Sequence, residues 1–372
     1  MSWLSAEAAL ARLGTKPQTL YANVSRGRIA ARPDPDDPRR SLYRAADVER
    51  LAQRKGGRRP ARAVAAESIA WGEPVLETAI SAIAGGQLRY RGQDAVALAA
   101  EGTLEEAAEL LWPSPTRPDF SGRARAQQPG MAAAYRAIAE LAATDMPTSG
   151  RARAVLVGDA MRAVSFLAGA LAAPGTEDVH ERLARQWQRP EAADIIRRAL
   201  VLLAEHELNA STFAARVAAS TGAPLSAAIL AGLAALSGPL HGSASLAMGG
   251  LVRAARQDGA EAALTAHLRR GLPLPCFGHR LYPDGDCRAA ALLAVLDLPE
   301  PFGRLAAMGT AMSGEKPNID FALAAMTARF GLPEAAPLHL FALARSVGWI
   351  AHALEQGESG ALIRPRARYV GD

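Results

Sequence analysis

The chain has 372 residues, of which 49% are apolar and only 5% aromatic, and it carries a formal net charge of +5. No apolar run reaches the roughly 20 residues that a membrane span requires, and the N-terminus lacks a basic segment followed by an apolar one, so the sequence predicts neither a membrane protein nor a secreted one. Ala and Leu must build a core so poor in aromatic residues, and because both favour helices we expect an all-α protein of two or three structural units.

The positive charge is concentrated at the N-terminus. Residues 1–64 contain 14 Lys and Arg against 6 Asp and Glu, a balance of +8, and the remainder contains 28 against 31, a balance of −3. We therefore expect a separate basic unit at the start of the chain, with a task of its own.

Three short helices and a turn are predicted in this basic unit. A helix capped by Ser5 covers residues 5–13, a second begins with Pro17 in its first turn, and a third covers residues 45–54. Between the second and third helices, the Pro/Asp turn at residues 28–44 is flanked by arginines and predicts a β-wing. This order resembles the winged helix-turn-helix of excisionases and of the mercury-resistance regulator family.

That resemblance implies a winged helix-turn-helix domain over residues 1–56. Its fold does not fix its function, so two alternatives stay open: the unit binds DNA, or it packs against the main body or another protein. Residues 57–66 are polar and contain breakers, which predicts a linker to a second unit at residues 67–372.

The sequence contains two cysteines, Cys276 and Cys287, whose spacing does not fit a metal site. We expect both to be reduced thiols in a cytoplasmic protein. The sequence contains no phosphate-binding loop and no dinucleotide fingerprint. We therefore expect no metal and no permanently bound cofactor.

Three motifs in the last third of the chain place a histidine or an aspartate in a turn flanked by Gly or Pro. They read Gly-Pro-Leu-His-Gly around His241, Phe-Gly-His-Arg-Leu-Tyr around His279, and Lys-Pro-Asn-Ile-Asp ending at Asp320. Enolate chemistry needs such groups, because a carboxylate removes a proton beside a carbonyl while neutral imidazoles donate hydrogen bonds to the oxygens where charge develops.

Two of these residues also have a plainer interpretation. His241 could act as the cap of a helix predicted from about Ser243, although the positive end of that helix would also disfavour the imidazolium form and leave a neutral donor. Asp320 could serve as the N-cap of a helix predicted at residues 321–330.

Together with His-Glu-Leu-Asn-Ala-Ser-Thr-Phe at residues 206–213, these motifs resemble citrate synthase. The resemblance spans roughly residues 67–372. It implies a nearly all-α, two-domain fold, with a small domain at about residues 222–328 that closes over the substrate and a large domain formed by the remainder. It also implies an obligate homodimer with shared active sites and a reaction of the tricarboxylic acid cycle.

The resemblance implies a role for each matching residue. Asp320 would take a methyl proton from acetyl-CoA, His241 would stabilise the enol, and His279 would polarise the ketone of oxaloacetate. Residues implied in substrate binding are His206, Asn209, Arg288, Phe341, Arg345 and Arg364. Of these, Arg364 would reach the active site of the partner subunit.

Three positions depart from the family pattern and concern CoA binding. Cys287 stands where Pro is usual, Pro283 where many members have Lys or Arg, and Glu315 adds an acid. The acyl-CoA is therefore left open between acetyl-CoA and propionyl-CoA, the substrate of 2-methylcitrate synthase. An alternative function from another class is a DNA-binding regulator whose citrate-synthase-like unit senses a metabolite. Such a sensor would need the arginines to bind the metabolite, but it would not need the base Asp320.

Overall fold

The computed structural model of the chain describes residues 3–13, 17–25, 29–34, 37, 40–49, 76–121, 128–238, 241, 244–367 and 369–370. The chain divides into two compact units, Met1–Glu77 and Thr78–Asp372. The predicted linker, residues 50–54 of the predicted third helix, and residues 239, 240 and 242 of the first motif lie outside the described residues.

The first unit combines two helices with a three-stranded antiparallel sheet. Its elements are β1 (Trp3–Leu4), α1 (Ala6–Leu13), α2 (Pro17–Ser25), β2 (Ala31–Pro33) and β3 (Ser41–Arg44), in the sheet order β1-β3-β2. Residues 45–49 are also helical. The Ser5 hydroxyl accepts a hydrogen bond from the backbone of Ala8 at 3.2 Å, so the predicted cap is present.

A small apolar core and one buried carboxylate hold this unit together. The core comprises Ala9, Leu13, Leu20, Ile29, Tyr43 and Val48. Asp47 accepts hydrogen bonds from the backbone of Ala30 at 3.0 Å and from the Arg44 guanidinium at 2.8 Å. The elements follow the predicted order, and the assignment to the winged helix-turn-helix class stays a prediction.

The second unit begins with a small sheet that was not predicted from the sequence. Strands β4 (Ser81–Ala84), β5 (Gln87–Tyr90) and β6 (Gln93–Asp94) pair antiparallel in that order. Gly85 and Gly86 join the first two with φ of 58° and 76°, the left-handed conformations that a two-residue type I′ turn requires. The Tyr90 hydroxyl donates to the carbonyl of Val201 at 2.9 Å, which fixes the sheet to the helices.

Helices make up most of the remaining described residues. They are α3 (Ala95–Glu101), α4 (Leu104–Leu111), α5 (Met131–Thr144), α6 (Arg153–Leu171), α7 (Val179–Gln186), α8 (Ala193–Leu203), α9 (Ala210–Ser220), α10 (Leu225–Leu236), α11 (Ala244–Asp258), α12 (Ala260–Leu268), α13 (Cys287–Ala294), α14 (Phe302–Ser313), α15 (Ile319–Phe330) and α16 (Ala336–Ser359), with a 3₁₀ turn at Pro190–Ala192.

The long helix α16 lies at the centre of this unit. It packs against α4, α6, α8, α9, α10 and α15. Trp349 of α16 lies so close to Gly232 of α10 that a Cβ added to the glycine would stand 2.5 Å from the indole ring. A larger residue at position 232 would therefore separate the two helices.

Helices α11, α12, α14 and α15 pack on one another and fall within the small domain predicted at about residues 222–328. The boundaries of that domain stay a prediction.

Among the described residues, one helix, α6, is long and apolar enough to cross a membrane by length and composition. However, 56% of its 18-residue apolar window is buried inside the fold, and it packs against α5 and α16. This is the environment of a core helix.

Candidate active site

Hydrogen bonds hold the segment at the end of α8 against α16 and position the first residues of the site. Arg345 donates through Nε to the carbonyl of Leu203 at 2.8 Å, and the Gly348 backbone donates to Ala204 at 3.1 Å. A Cβ on Gly348 would stand 2.3 Å from a carboxylate oxygen of Glu205, so only glycine permits this approach. These contacts bring Arg345 beside the motif that begins at His206.

His206 is buried against the second motif. Its Nε2 lies 3.1 Å from the hydroxyl of Tyr282, and its ring centroid is 5.2 Å from that of His279. Burial, followed by the nearby Arg288 and Arg345 guanidiniums, holds the pKa of His206 well below its usual range. The ring is therefore neutral at physiological pH.

His279 offers one defined donor to the cleft. Its Nδ1 accepts a hydrogen bond from the backbone of Leu281 at 3.2 Å. Burial, with a further contribution from Arg288, lowers the pKa of His279 to about 4. A neutral ring with Nδ1 as acceptor carries its proton on Nε2, so Nε2 can donate to a carbonyl oxygen.

His241 is neutral as well. Burial lowers the pKa of His241 to about 4, and Arg345 adds to the effect. The next helix, α11, is described from Ala244, and a contribution of its dipole to the neutral state of His241 stays a prediction. The Nε2 atom of His241 lies 2.8 Å from the Ser211 hydroxyl.

Asn209 supports this arrangement from the N-terminus of α9. Its Oδ1 accepts from the backbone of Ser211 and Thr212, both at 3.1 Å, and lies 2.7 Å from the Ser211 hydroxyl. Its Nδ2 donates to the carbonyl of His206 at 3.3 Å. Asn209 thus caps the helix and holds the His206 backbone, and its contact with substrate stays a prediction.

Asp286 organises the cationic side of the site. It caps α13, and its carboxylate binds the Arg288 guanidinium with two hydrogen bonds, at 3.0 and 2.9 Å. Its Oδ2 also accepts from the backbone of Ile319 at 3.0 Å. Although burial alone would raise the pKa of Asp286, Arg288 outweighs it and holds that pKa below its usual value.

Asp320 lies in the first turn of α15, one residue after Ile319. Asn318 caps this helix by accepting from the backbone of Asp320 at 3.1 Å, so the alternative that Asp320 is the N-cap is wrong. The Oδ1 atom of Asp320 is buried and has no hydrogen-bond partner among the described residues. Burial raises the pKa of Asp320 to about 6, with Asp286 adding to the effect and Arg288 and Arg345 opposing it.

A short antiparallel contact sets the spacing between the second and third motifs. Phe277 pairs with Pro317, the Gly278 backbone donates to Lys316 at 2.8 Å, and the Asn318 backbone donates to Cys276 at 2.9 Å. His279 and Asp320 follow directly on these paired segments. The loop geometry therefore couples the positions of His279 and Asp320.

The remaining residues of the predicted set divide into two groups. Phe341 and Arg345 are buried on α16, with the guanidinium carbon 5.9 Å from the phenyl centroid. Arg364 is exposed in the segment after α16, and no hydrogen bond or ion pair among the described residues joins it to the cluster. The structure of one chain thus brings together every predicted site residue except Arg364.

Sequence reasoning gave no role to Tyr282, Ser211 or Asp286, although each contacts a site residue. The signal for Tyr282 and Asp286 was their position within the second motif. Ser211 offered none, because its partners His241 and Trp349 are distant in sequence.

The model of the family described as citrate synthase, C-terminal domain, matches residues 127–366. The chain belongs to the citrate synthase family.

Curated relatives include both citrate and 2-methylcitrate synthases. Citrate synthase 2 of Bacillus subtilis is 37% identical over 193 residues, which cover 49% of this chain and 52% of that protein. The 2-methylcitrate synthase of Mycobacterium tuberculosis is 34% identical over 195 residues, which cover 49% of this chain and 50% of that protein. The chain thus spans about half the length of the curated relatives it matches.

Solved structures match over a longer range. The crystal structure of citrate synthase from Thermotoga maritima has a TM-score of 0.65 at 29% identity and covers 81% of this chain and 94% of its own. The ternary complex of carboxymethyl coenzyme A and oxaloacetate with citrate synthase from Thermoplasma acidophilum has a TM-score of 0.68 at 25% identity, covering 82% and 96%. The predominantly helical citrate synthase fold is thereby confirmed for the greater part of the chain.

Proposed function

We propose that this protein condenses acetyl-CoA with oxaloacetate to give citrate and CoA. The observation that carries the proposal is a carboxyl group with a pKa of about 6, Asp320, in one cluster with neutral imidazoles and the buried guanidiniums of Arg288 and Arg345. A base whose pKa lies just below the working pH is ionised and still accepts a proton readily.

The proton steps follow from the positions of the side chains. Asp320 takes a proton from the acetyl methyl group, and the resulting enol attacks the ketone of oxaloacetate, whose oxygen accepts a hydrogen bond from Nε2 of His279. His241 stabilises the enol oxygen with a hydrogen bond from its neutral ring. Water then hydrolyses the citryl thioester.

The charged residues suit a dicarboxylate. Asp286 occupies Nε and Nη2 of Arg288, so Nη1 remains to bind a carboxylate. Arg345 and His206 complete this face of the site, with Asn209 and Phe341 beside them. The exposed Arg364 would complete the site of a second subunit in a homodimer. Enol chemistry requires the exclusion of water, which supports closure of the small domain over the substrates.

The acyl group is the least determined part of the proposal. One methylene in a pocket changes discrimination by only about 1–3 kcal/mol, and relatives of both names match this chain. Incubation with oxaloacetate and equal amounts of acetyl-CoA and propionyl-CoA, followed by mass spectrometry, would separate the products. A predominant citrate mass is expected. A predominant methylcitrate mass would reassign the substrate to propionyl-CoA. If the protein forms neither product, the proposal is contradicted.

The N-terminal unit supports a second, separate proposal of DNA binding. Its charge balance of +8 contrasts with −3 elsewhere. The alternative function, a regulator that senses a metabolite, does not require a carboxyl group with a raised pKa such as Asp320. A condensing enzyme with a basic N-terminal unit is therefore the better explanation.

A further inference from the structure

A buried carboxylate beside the site, that of Glu205, is held by hydrogen bonds from two sides. Its Oε1 atom lies 3.1 Å from Nε2 of His352 and accepts a hydrogen bond from the Ser81 hydroxyl at 3.0 Å. Nδ1 of His352 in turn lies 3.2 Å from Nη1 of Arg216. Glu205 and His352 are completely buried, so these contacts, rather than water, determine where their protons lie.

The guanidinium of Arg216 determines which nitrogen of His352 carries a proton. A guanidinium only donates hydrogen bonds, so Nδ1 of His352 accepts from it and is not itself protonated. The neutral ring then has its proton on Nε2, which donates to Glu205. In an imidazolium, the N–H of Nδ1 would face the N–H of Arg216 with no acceptor between them.

Glu205 is ionised. The backbone N–H of Glu207 donates to the Ser81 oxygen at 3.2 Å, which leaves the hydroxyl proton of Ser81 for Oε1 of Glu205. With His352 on its other side, Oε1 accepts two hydrogen bonds. Although burial alone would raise it, the neighbouring His352, Arg345 and Ser81 hold the pKa of Glu205 below its usual value.

The charge of Glu205 acts on Arg345 where the end of α8 meets α16. Arg345 donates through Nε to Leu203, two residues before Glu205, and Oε2 of Glu205 lies against Gly348, three residues after Arg345. Burial lowers the pKa of Arg345, and the charge of Glu205 opposes this effect. No ion pair within the described part of the chain joins the two side chains, so Glu205 does not occupy the guanidinium N–H groups.

We propose that Glu205, with its charge held in place by His352, is a positioning residue that acts as the buried counter-ion of Arg345 without occupying its donors. Arg288 has the opposite arrangement, because Asp286 binds it directly through Nε and Nη2. A counter-ion at a distance compensates the buried charge of Arg345 and leaves its N–H groups for a ligand carboxylate. That this carboxylate belongs to oxaloacetate rests on the proposed function, whereas the charge of Glu205 and the tautomer of His352 do not.

The tautomer is measured directly by ¹⁵N NMR of wild-type protein labelled at the histidine rings, near neutral pH and without substrate. His352→Gln assigns the signals. Nε2 of His352 should show the shift of a protonated nitrogen and Nδ1 that of an unprotonated one. A proton on Nδ1, or on both nitrogens as in an imidazolium–carboxylate pair, would overturn the proposal.

Glu205→Gln removes the charge and keeps the shape, and its amide oxygen can still accept from His352 and Ser81. Without its counter-ion, the buried charge of Arg345 should destabilise the fold, and a bound dianion should compensate that charge instead. We therefore expect a lower midpoint of urea unfolding together with tighter binding of oxaloacetate by calorimetry. The gain in affinity should be roughly tenfold, the size expected for a unit charge about 10 Å from the ligand at an effective dielectric constant near 20.

A merely structural role for Glu205 would lower stability and affinity together. Unchanged or weaker oxaloacetate binding by folded Glu205→Gln, or an unchanged unfolding midpoint, would therefore overturn the proposal. If Glu205→Gln does not fold, the NMR measurement on the wild type still decides it.

Glu105 offers a matched control. Like Glu205 it is buried, with one carboxylate oxygen accepting from the backbone of Val179 at 2.9 Å and the other without a hydrogen-bond partner among the described residues. Glu105→Gln should leave the affinity for oxaloacetate unchanged, and an equal gain in both variants would contradict the role of Arg345. A wild type that does not bind oxaloacetate would contradict the proposed function, and the NMR shifts and the stability of Glu205→Gln would still decide whether Glu205 is the counter-ion.

Discussion

Replacing Asp320 with Asn should stabilise the protein while it abolishes turnover. Burial raises the pKa of Asp320 from 3.8 to about 6, so the folded protein holds this carboxylate less favourably than the unfolded chain does. Asn has nearly the same shape and carries no charge. The substitution therefore removes a destabilising ionised group together with the proposed catalytic base.

The magnitude follows from the shift of about two pKa units, each worth about 1.36 kcal/mol. Because the folded-state pKa is raised, the cost is absent well below the unfolded value of 3.8, grows as the pH rises through the window up to about 6, and is complete above it. Asp320→Asn should therefore gain about 3 kcal/mol in the free energy of unfolding near pH 8 and about half of that near pH 5.

Urea unfolding followed by circular dichroism at these two pH values would test this. Asp286→Asn is the matched control, because Arg288 lowers the pKa of Asp286 and the ionised carboxylate stabilises the fold at every pH above that lowered value. The same chemical change there should destabilise the protein near pH 8. If Asp320→Asn is no more stable than the wild type near pH 8, or its advantage does not grow from pH 5 to pH 8, the raised pKa of Asp320 is wrong.

Three further predictions concern activity and assembly. The pH profile of kcat/KM should fall on its acidic side with a midpoint near the Asp320 pKa of about 6, and a midpoint near pH 4 would contradict an environment that raises it. Arg364→Ala should lose activity. Mixing Arg364→Ala subunits with Asp320→Asn subunits should restore some activity, because each hybrid dimer would hold one site in which both residues are intact. No recovery of activity, despite confirmed subunit exchange, would count against shared sites. Removal of residues 1–64 should leave condensation largely intact and abolish salt-sensitive retention on duplex DNA. In the intact protein, the logarithm of the DNA affinity should fall with the logarithm of the salt concentration, with a slope near −0.9 per neutralised phosphate. Loss of catalysis in a folded truncated dimer, or DNA retention that survives truncation, would refute the independence of the two units.

The sequence pointed to side chains that the fold brings together, but it did not predict what surrounds them. His241, His279 and Asp320 were identifiable because each stands in a local motif, and the chemistry of a motif is readable from residue types. Their protonation depends on burial and on Arg288 and Arg345, which are brought close only by the folded chain.

Local competition between similar residues was also beyond the sequence. Asn318 and Asp320 are both good helix caps. Only the structure shows that Asn318 takes that position and that Oδ1 of Asp320 has no hydrogen-bond partner in the described part of the chain. Helices such as α1 were predictable from their patterns. The β4–β6 sheet was missed because its short strands gain their stability from contacts with the end of α8, about 110 residues away.

The most direct test of the account is the release of CoA thiol from acetyl-CoA by the purified protein, with and without oxaloacetate, in the wild type and in Asp320→Asn. The account predicts release by the wild type that depends on oxaloacetate. It also predicts none above background by the variant, which should still bind oxaloacetate. No release by a folded wild type, release without oxaloacetate, or near-normal release by Asp320→Asn would contradict it.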